Sequence, residues 1–345
     1  MIKLDMAKKK RSVSKKHMHI GLAGTAIAFG ILGLNLSPSS EACSFTTKGT
    51  TMTLNADCTT DTTITIPDGF TLDGAQHTIN AVDPSGNHFK GAVIKNAGSS
   101  ANVTKLTIKA SGLSNACDAG DDRLRGIMFE GASGTIINNK ILDINQGPSG
   151  CQEGNAVEVR NAPFDGTHPS TKTVEIALND ISSYQKTGIV SNGDVSVNIH
   201  NNKVGSSATQ ANLAANAVQL GFGALGEVSN NQIDGNSWCC VDAAATAILL
   251  FNAGDNVNVS QNVIGGNADV GIYAQANKAK IDNNKVFEDG TDGSYDIGIG
   301  DYDLYTSTPA NNNVIKNNKV GGYLTSYEEV AGGKNKVVPG PQTFD

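Results

Sequence analysis

After residue 42 the chain has three arginines, Arg123, Arg125 and Arg160, and one tryptophan, Trp238. Methionine and histidine never cluster there, so the donors of a copper site are missing. No paired CxxC motifs are present to hold zinc. Charged residues make up only 17% of the chain, and no amphipathic helical stretches separate its strand-like runs. The one long apolar stretch, residues 20–36, is about 17 residues and marginal for a bilayer span. Glycine is abundant, at 39 residues, and the turns are rich in asparagine. Both residues accept the left-handed backbone conformation at least cost.

One two-part phrase recurs seven times between Gly126 and Val320. It opens on a small residue and an aliphatic one: Gly126-Ile127, Ala156-Val157, Gly188-Ile189, Ala217-Val218, Ala247-Ile248, Gly271-Ile272 and Gly298-Ile299. It closes on Asn-Asn-x-Ile/Val or a near copy, as in Asn138-Asn139-Lys140-Ile141, Leu178-Asn179-Asp180-Ile181 and Asn317-Asn318-Lys319-Val320. Successive small residues are 30, 32, 29, 30, 24 and 27 positions apart. A period in this range marks stacked supersecondary units, and short strands without intervening helices mark a parallel β-solenoid. Stacked asparagine side chains can then form hydrogen-bonded ladders from coil to coil.

Residues 1–42 read as a secretory signal: seven basic residues, then the apolar stretch, then small residues up to Ala42. A retained membrane anchor is the alternative. Ser40-Glu41-Ala42-Cys43 lacks the leucine expected before a lipid-modified cysteine. Removing this segment takes away seven bases and two acids, which moves the net charge from −7 to −12. Such a chain repels nucleic acid and gains little from anionic lipid. All six cysteines follow the leader, an even number that fits an oxidising, secreted, periplasmic or cell-surface setting. Cys43 and Cys58 bracket the first strands, while Cys117 and Cys151 occupy equivalent loops one coil apart, so each pair is expected to bond. Cys239-Cys240 is either a vicinal disulfide or two separate thiols.

The expected organisation is an N-terminal cap and first coils over 43–125, regular coils over 126–320 and a C-terminal cap or tail over 321–345, about ten coils in one domain. Residues 63–79 (TITIPDGFTLDGAQHTI), followed by the Asn-Asn-x-Val repeats, resemble the right-handed parallel β-helix superfamily. That superfamily includes pectate lyase-like enzymes, polygalacturonases, alginate lyases, mannuronan epimerases and copper-maturation periplasmic proteins. The resemblance covers residues 50–322 and implies an all-β, single-stranded right-handed coil of three short sheets. Its motifs specify turns and core rather than chemistry, and fold does not imply function.

Strand alternation places Met128, Glu158, Val190, Gln219, Leu249, Tyr273 and Gly300 outward in one row. The small residues before the aliphatics are expected to face outward beside them. This strip could receive a polymer chain, with Gln219 and Tyr273 binding it, or lie under loops. Glu158 and Arg160 share a face and are the catalytic candidates, Arg160 neutralising a uronate carboxylate; a surface ion pair is the alternative. Residues 155–160 are similar to the Asn…Glu…Arg segment of an alginate and chondroitin lyase family, with spacing that departs by one residue. Arg123 and Arg125 belong to a second, loop-borne cluster with Gly120-Asp121-Asp122, which looks like the Gly-Asp-Asp of polygalacturonases; the companion motifs of those enzymes are missing. The Asp-Pro-His of the epimerases is absent too, since Ser85 follows Asp83-Pro84.

Asp289, Asp292, Asp301 and Asp303 could hold calcium, the one cofactor the sequence raises, or be solvated turns. Trp238 could offer a sugar platform beside Cys239-Cys240 or fold over the core, and the same choice applies to Tyr302. His168 has no evident nucleophilic partner. The expected function is binding, with cleavage open, of an extracellular polysaccharide along the outward strip. If the protein is an enzyme, β-elimination on a uronate is favoured over hydrolysis; the alternative is a structural or surface-interaction protein. The oligomeric state is not legible.

Overall fold

A computed structural model describes residues 41–162, 171–208, 210, 213–240, 243–289, 295–303, 308–309, 312–330 and 333–339, with the backbone alone at 302–303 and 308–309. The leader up to residue 40, His168 and Asp292 lie outside the described residues.

Each repeat lays one short strand into each of three sheets of eleven, ten and eleven strands. One coil, for example, runs through Arg125–Glu130, Ser133–Ile137 and Lys140–Ile144 before a longer loop leads to Asn155–Asn161. Apart from one hairpin at the start, every strand of these three sheets pairs in parallel with its equivalents in neighbouring coils. The ten-stranded sheet runs from Ile64–Ile66 to Thr325–Glu328, one strand per coil. The protein is an all-β, right-handed parallel β-helix. Its core is a stack of aliphatic layers, such as Ile127, Ile136 and Ile141, each fully buried. Each such side chain contributes about 1.5–3 kcal/mol by leaving water.

The outward row predicted from alternation is present in register, from Met128 through Glu158, Val190, Gln219, Leu249 and Tyr273 to Gly300. The small residues, however, face inward. A Cβ on Gly126 would meet Ile141 Cγ2 at 2.9 Å, and one on Gly188 would meet Val204 Cγ1 at 2.8 Å. The pairing explains why: Arg125 opposes Asn155 and Ile127 opposes Val157, while Gly126 and Ala156 are passed over. Two consecutive side chains therefore enter the core where the chain turns into the strand. The position must be small because the third sheet's aliphatics already fill that corner.

The Asn-Asn corners work as a pair. The first residue takes a left-handed backbone, with φ 62° at Asn138, 54° at Asn201 and 57° at Asn283. The second points inward. Asn139, Asn179, Asn202, Asn231, Asn262, Asn284, Asn318 and Asn335 form a continuous ladder, each Nδ2 donating to the Oδ1 of the next at 2.9–3.1 Å. Leu178 breaks the first-position rule: it adopts φ 57° with its side chain 58% exposed. Because asparagine tolerates this conformation better than leucine, Leu178→Asn is expected to stabilise the protein by about 0.5–1 kcal/mol, measured by denaturant unfolding.

The N-terminal end is closed by an antiparallel hairpin, Phe45–Lys48 against Thr51–Leu54, which covers a sheet edge that would otherwise template association. Cys43–Cys58 fastens this hairpin to the first coil, and Cys117–Cys151 joins equivalent loops. Cys239 and Cys240 are bonded to each other. At the other end the third sheet finishes on Lys336–Val337.

Candidate functional site

The outward row is roofed rather than open. Met128, Glu158, Val190 and Tyr273 are buried, and only Gln219 and Leu249 reach the surface in part. Tyr273 packs with Val270 and Ile297 in a small apolar cluster outside the barrel, against Leu249 and Tyr295. Gln219 accepts a hydrogen bond from Asn216 Nδ2 at 3.1 Å. At the N-terminal end of this face the two catalytic candidates sit in a closed charge cluster. Glu158 accepts Arg125 Nε at 2.5 Å and Asn155 Nδ2 at 2.9 Å, and its other oxygen lies 3.5 Å from Arg160 Nη1. Arg160 also pairs with Glu130 and Asp121. Arg160 beside it holds the Asp121 carboxyl below its ordinary range. The remaining donors of Arg125 reach the carbonyls of Gly120, Asp121 and Arg123, so the loop over this face is tied to the sheet. Arg123 itself is half-buried in that loop. Glu158, Arg125, Arg160, Glu130 and Asp121 thus all have charged partners within the protein.

The open cavity lies elsewhere, where strands of the third sheet end and the longer loops begin. It is a groove of about 620 Å³, walled by Ser207, Gln210, Asp234, Asn236, Asn267 and Asp289 among others. Asn236 is fixed from below: its Nδ2 donates to the buried Tyr184 hydroxyl at 2.9 Å, and its Oδ1 accepts Ser207 N at 2.8 Å. Gln210 accepts the Ser149 amide at 3.2 Å. Partial loss of water raises the Asp234 carboxyl above the ordinary carboxylate range; Lys203 opposes this and the charge of Asp289 adds to it.

Ser237 is on the groove wall, and Trp238 follows it in the chain. The loop is hung on a buried acid, Asp269, whose carboxylate accepts Trp238 N at 3.0 Å and Ala245 N at 2.8 Å. Of the residues singled out in the sequence, Asp289 lines this groove and Trp238 adjoins it in the chain, next to Ser237. Of the four proposed calcium ligands, Asp292 lies outside the described residues and Asp303 is described for backbone alone. Asp289 precedes and Asp301 follows the strand Ile297–Gly300 in the chain. Asp301 is buried and accepts Asn313 Nδ2 at 2.7 Å. Tyr302 and Asp303 form a short antiparallel pair with Thr308–Pro309, described for backbone alone.

Sequence reasoning missed Asp234, Asp269 and Lys186. Lys186 carries no motif, yet burial of its amine, which donates to the Ala214 carbonyl at 2.5 Å, lowers its pKa to about 8. The unfolded chain then binds more protons than the folded one between about pH 8 and the ordinary lysine value of 10.5. Stability contributed through this group therefore rises with pH across that window. Lys186→Met is expected to flatten the rise, read as unfolding free energy against pH.

No protein-family model matches the sequence, and no curated protein matches it. Solved structures of similar shape include the Dettilon tailspike protein gp208, at 12% identity and TM-score 0.39, with 78% of this chain and 55% of that one covered. A DFA-IIIase from Arthrobacter chlorophenolicus A6 without its lid gives 13% and 0.42, covering 82% and 61%. The periplasmic alginate epimerase AlgG gives 13% and 0.45, covering 84% of each chain. The chain thus spans between half and two thirds of the first two proteins. Likeness at these identities concerns the fold alone.

Proposed function

We propose that this is an exported protein that binds an extracellular polysaccharide in the loop-built groove. The observation that carries this reading is a groove of about 620 Å³ walled by amides, hydroxyls and two carboxylates, one residue from the only tryptophan. Hydroxyl-rich ligands pair with such groups, and an aromatic rim supplies apolar contact for a sugar face. Export accords with the basic, apolar leader and with three disulfides, which persist in oxidising compartments.

The test is titration of the purified protein with neutral and uronate oligosaccharides, followed by tryptophan fluorescence and by heat. Trp238→Ala is expected to weaken binding about tenfold or more, the loss of one good contact. Unchanged affinity in that variant, or no binding across the panel, refutes the reading.

Cleavage is a second reading, favoured by one observation: Asp234 and Asp289 interact, and Asp234 is held toward its protonated form. Such a pair suits acid–base hydrolysis better than the β-elimination assigned to Glu158 and Arg160, whose charges are matched internally. New reducing ends abolished in Asp234→Asn would establish hydrolysis. Unsaturated uronate abolished in Arg160→Ala would establish elimination.

A further inference from the structure

The x residue of each Asn-Asn-x-Ile corner faces outward on the third sheet, and parallel register stacks these residues in one row. From Lys140 it runs through Asp180, Lys203, Gln232, Val263, Lys285 and Lys319 to Lys336. In the first coils Asp180 separates Lys140 from Lys203. In the last three coils the row is lysine only, with side chains exposed and strands ~4.8 Å apart. Lys280 and Lys334 are exposed in the same coils, Lys334 on a left-handed corner with φ 57°.

Among the described residues, none of Lys280, Lys285, Lys319, Lys334 and Lys336 forms an ion pair. Their neighbours Lys278 and Lys316 do, with Asp255 at 2.5 Å and Asp282 at 3.7 Å. Like charges directly opposite on adjacent strands are destabilising, and the chain as a whole carries a net charge of −7. A lysine on the final strand guards an edge, which accounts for Lys336. It does not account for Lys285 and Lys319, which lie inside the sheet.

We propose that this lysine row docks a linear carboxylated polysaccharide lying parallel to the solenoid axis. A row of equally spaced cations along a straight edge complements a chain that repeats one negative charge per few ångströms. Lysines present point charges on flexible stems rather than the planar fork with which arginine grips phosphate. The net negative charge repels a polyanion broad enough to reach beyond the row, as a nucleic acid duplex is. The row shares third-sheet strands with the groove wall, Lys285 standing four residues before Asp289, while Lys319 and Lys336 lie on later coils than any groove residue, so the triple variant leaves the groove's own side chains unaltered.

The experiment compares polygalacturonate, its fully methyl-esterified form and a DNA duplex as immobilised ligands at low and high salt. The variants are the triple Lys285→Gln/Lys319→Gln/Lys336→Gln and, as a control of equal exposure, Lys140→Gln/Lys203→Gln. Expected results are binding of polygalacturonate that weakens with salt, a loss of about tenfold or more in the triple variant, and near-wild-type binding in the control. The methyl ester should not bind, and Trp238 fluorescence should stay unchanged. The thermal midpoint of the triple variant should match or exceed the wild type, since repulsion is relieved. Unaltered binding in the triple variant, equal binding of the ester or of the duplex, or no binding of polygalacturonate overturns the proposal. So does a Trp238 response that the triple variant leaves intact. Because the groove reading is tested with Trp238→Ala, which leaves every lysine of the row in place, its failure would be seen separately.

Discussion

Asn231→Ala should lower the unfolding free energy by about 3–5 kcal/mol, counting the bonds lost and the buried groups left unpaired. Asn231 is 2% exposed and sits mid-ladder. Its Oδ1 accepts both the backbone N and the Nδ2 of Asn202, at 2.9 and 3.0 Å. Its Nδ2 donates to Asn262 Oδ1 at 3.0 Å and to the Ile199 carbonyl at 2.9 Å. Alanine removes all four bonds and supplies no water to replace them. Asn335, the last described rung of the ladder, is half-buried, so water can take over part of what alanine removes, and Asn335→Ala should cost only about 1 kcal/mol. Denaturant unfolding measures both. Because stability in a solenoid passes between neighbouring repeats, amide exchange should accelerate first in the coils on either side of residue 231. Equal costs at the two positions would refute the ladder as the source of the effect.

Glu158→Ala should cost about 3–5 kcal/mol, because it strands a buried guanidinium. The Arg125 side chain is 2% exposed and Glu158 is its only carboxylate partner among the described residues. The contrast lies in the double variant: Arg125→Met with Glu158→Leu removes both charges and should recover more than half of that loss, since an apolar pair of similar volume needs no desolvation of ions. Arg160→Ala should be milder, because its side chain is more exposed, at 13%, and two of its partners, Glu130 and Asp121, reach solvent. A double variant as unstable as the single one would show that the carbonyl contacts of Arg125, rather than the ion pair, hold the loop.

Much of the fold was legible because its rules are local. A small residue before an aliphatic one, and Asn-Asn before a β-branched run, recur at a fixed period and fix strands, corners and coil count. The Cys117–Cys151 pair followed from the same superposition of loops. The inward turn of Gly126 and its equivalents was not legible, since alternation assumes an unbroken strand and the register skips one residue there. The site was harder still. Arg125 meets Glu158 across 33 positions, and Trp238 meets Asp269 across 31; such contacts depend on exact coil lengths through irregular loops. Asp234 looks like any turn acid in the sequence and acquires its character only from the groove around it.

The asparagine ladder also gives the chain a kind of reading frame. Corresponding residues Asn262 and Asn284 are 22 positions apart, and Asn202 and Asn231 are 29 apart. Loss of residues 263–284 would join Asn262 to Lys285, leave every remaining corner intact and shorten the rod by one strand spacing, ~4.8 Å. Loss of a single residue within a strand would instead turn its inward side chains to solvent. Whole coils can therefore be gained or lost by unequal exchange of gene segments while the fold is kept, so the length of this rod is free to change between descendants in steps of one coil.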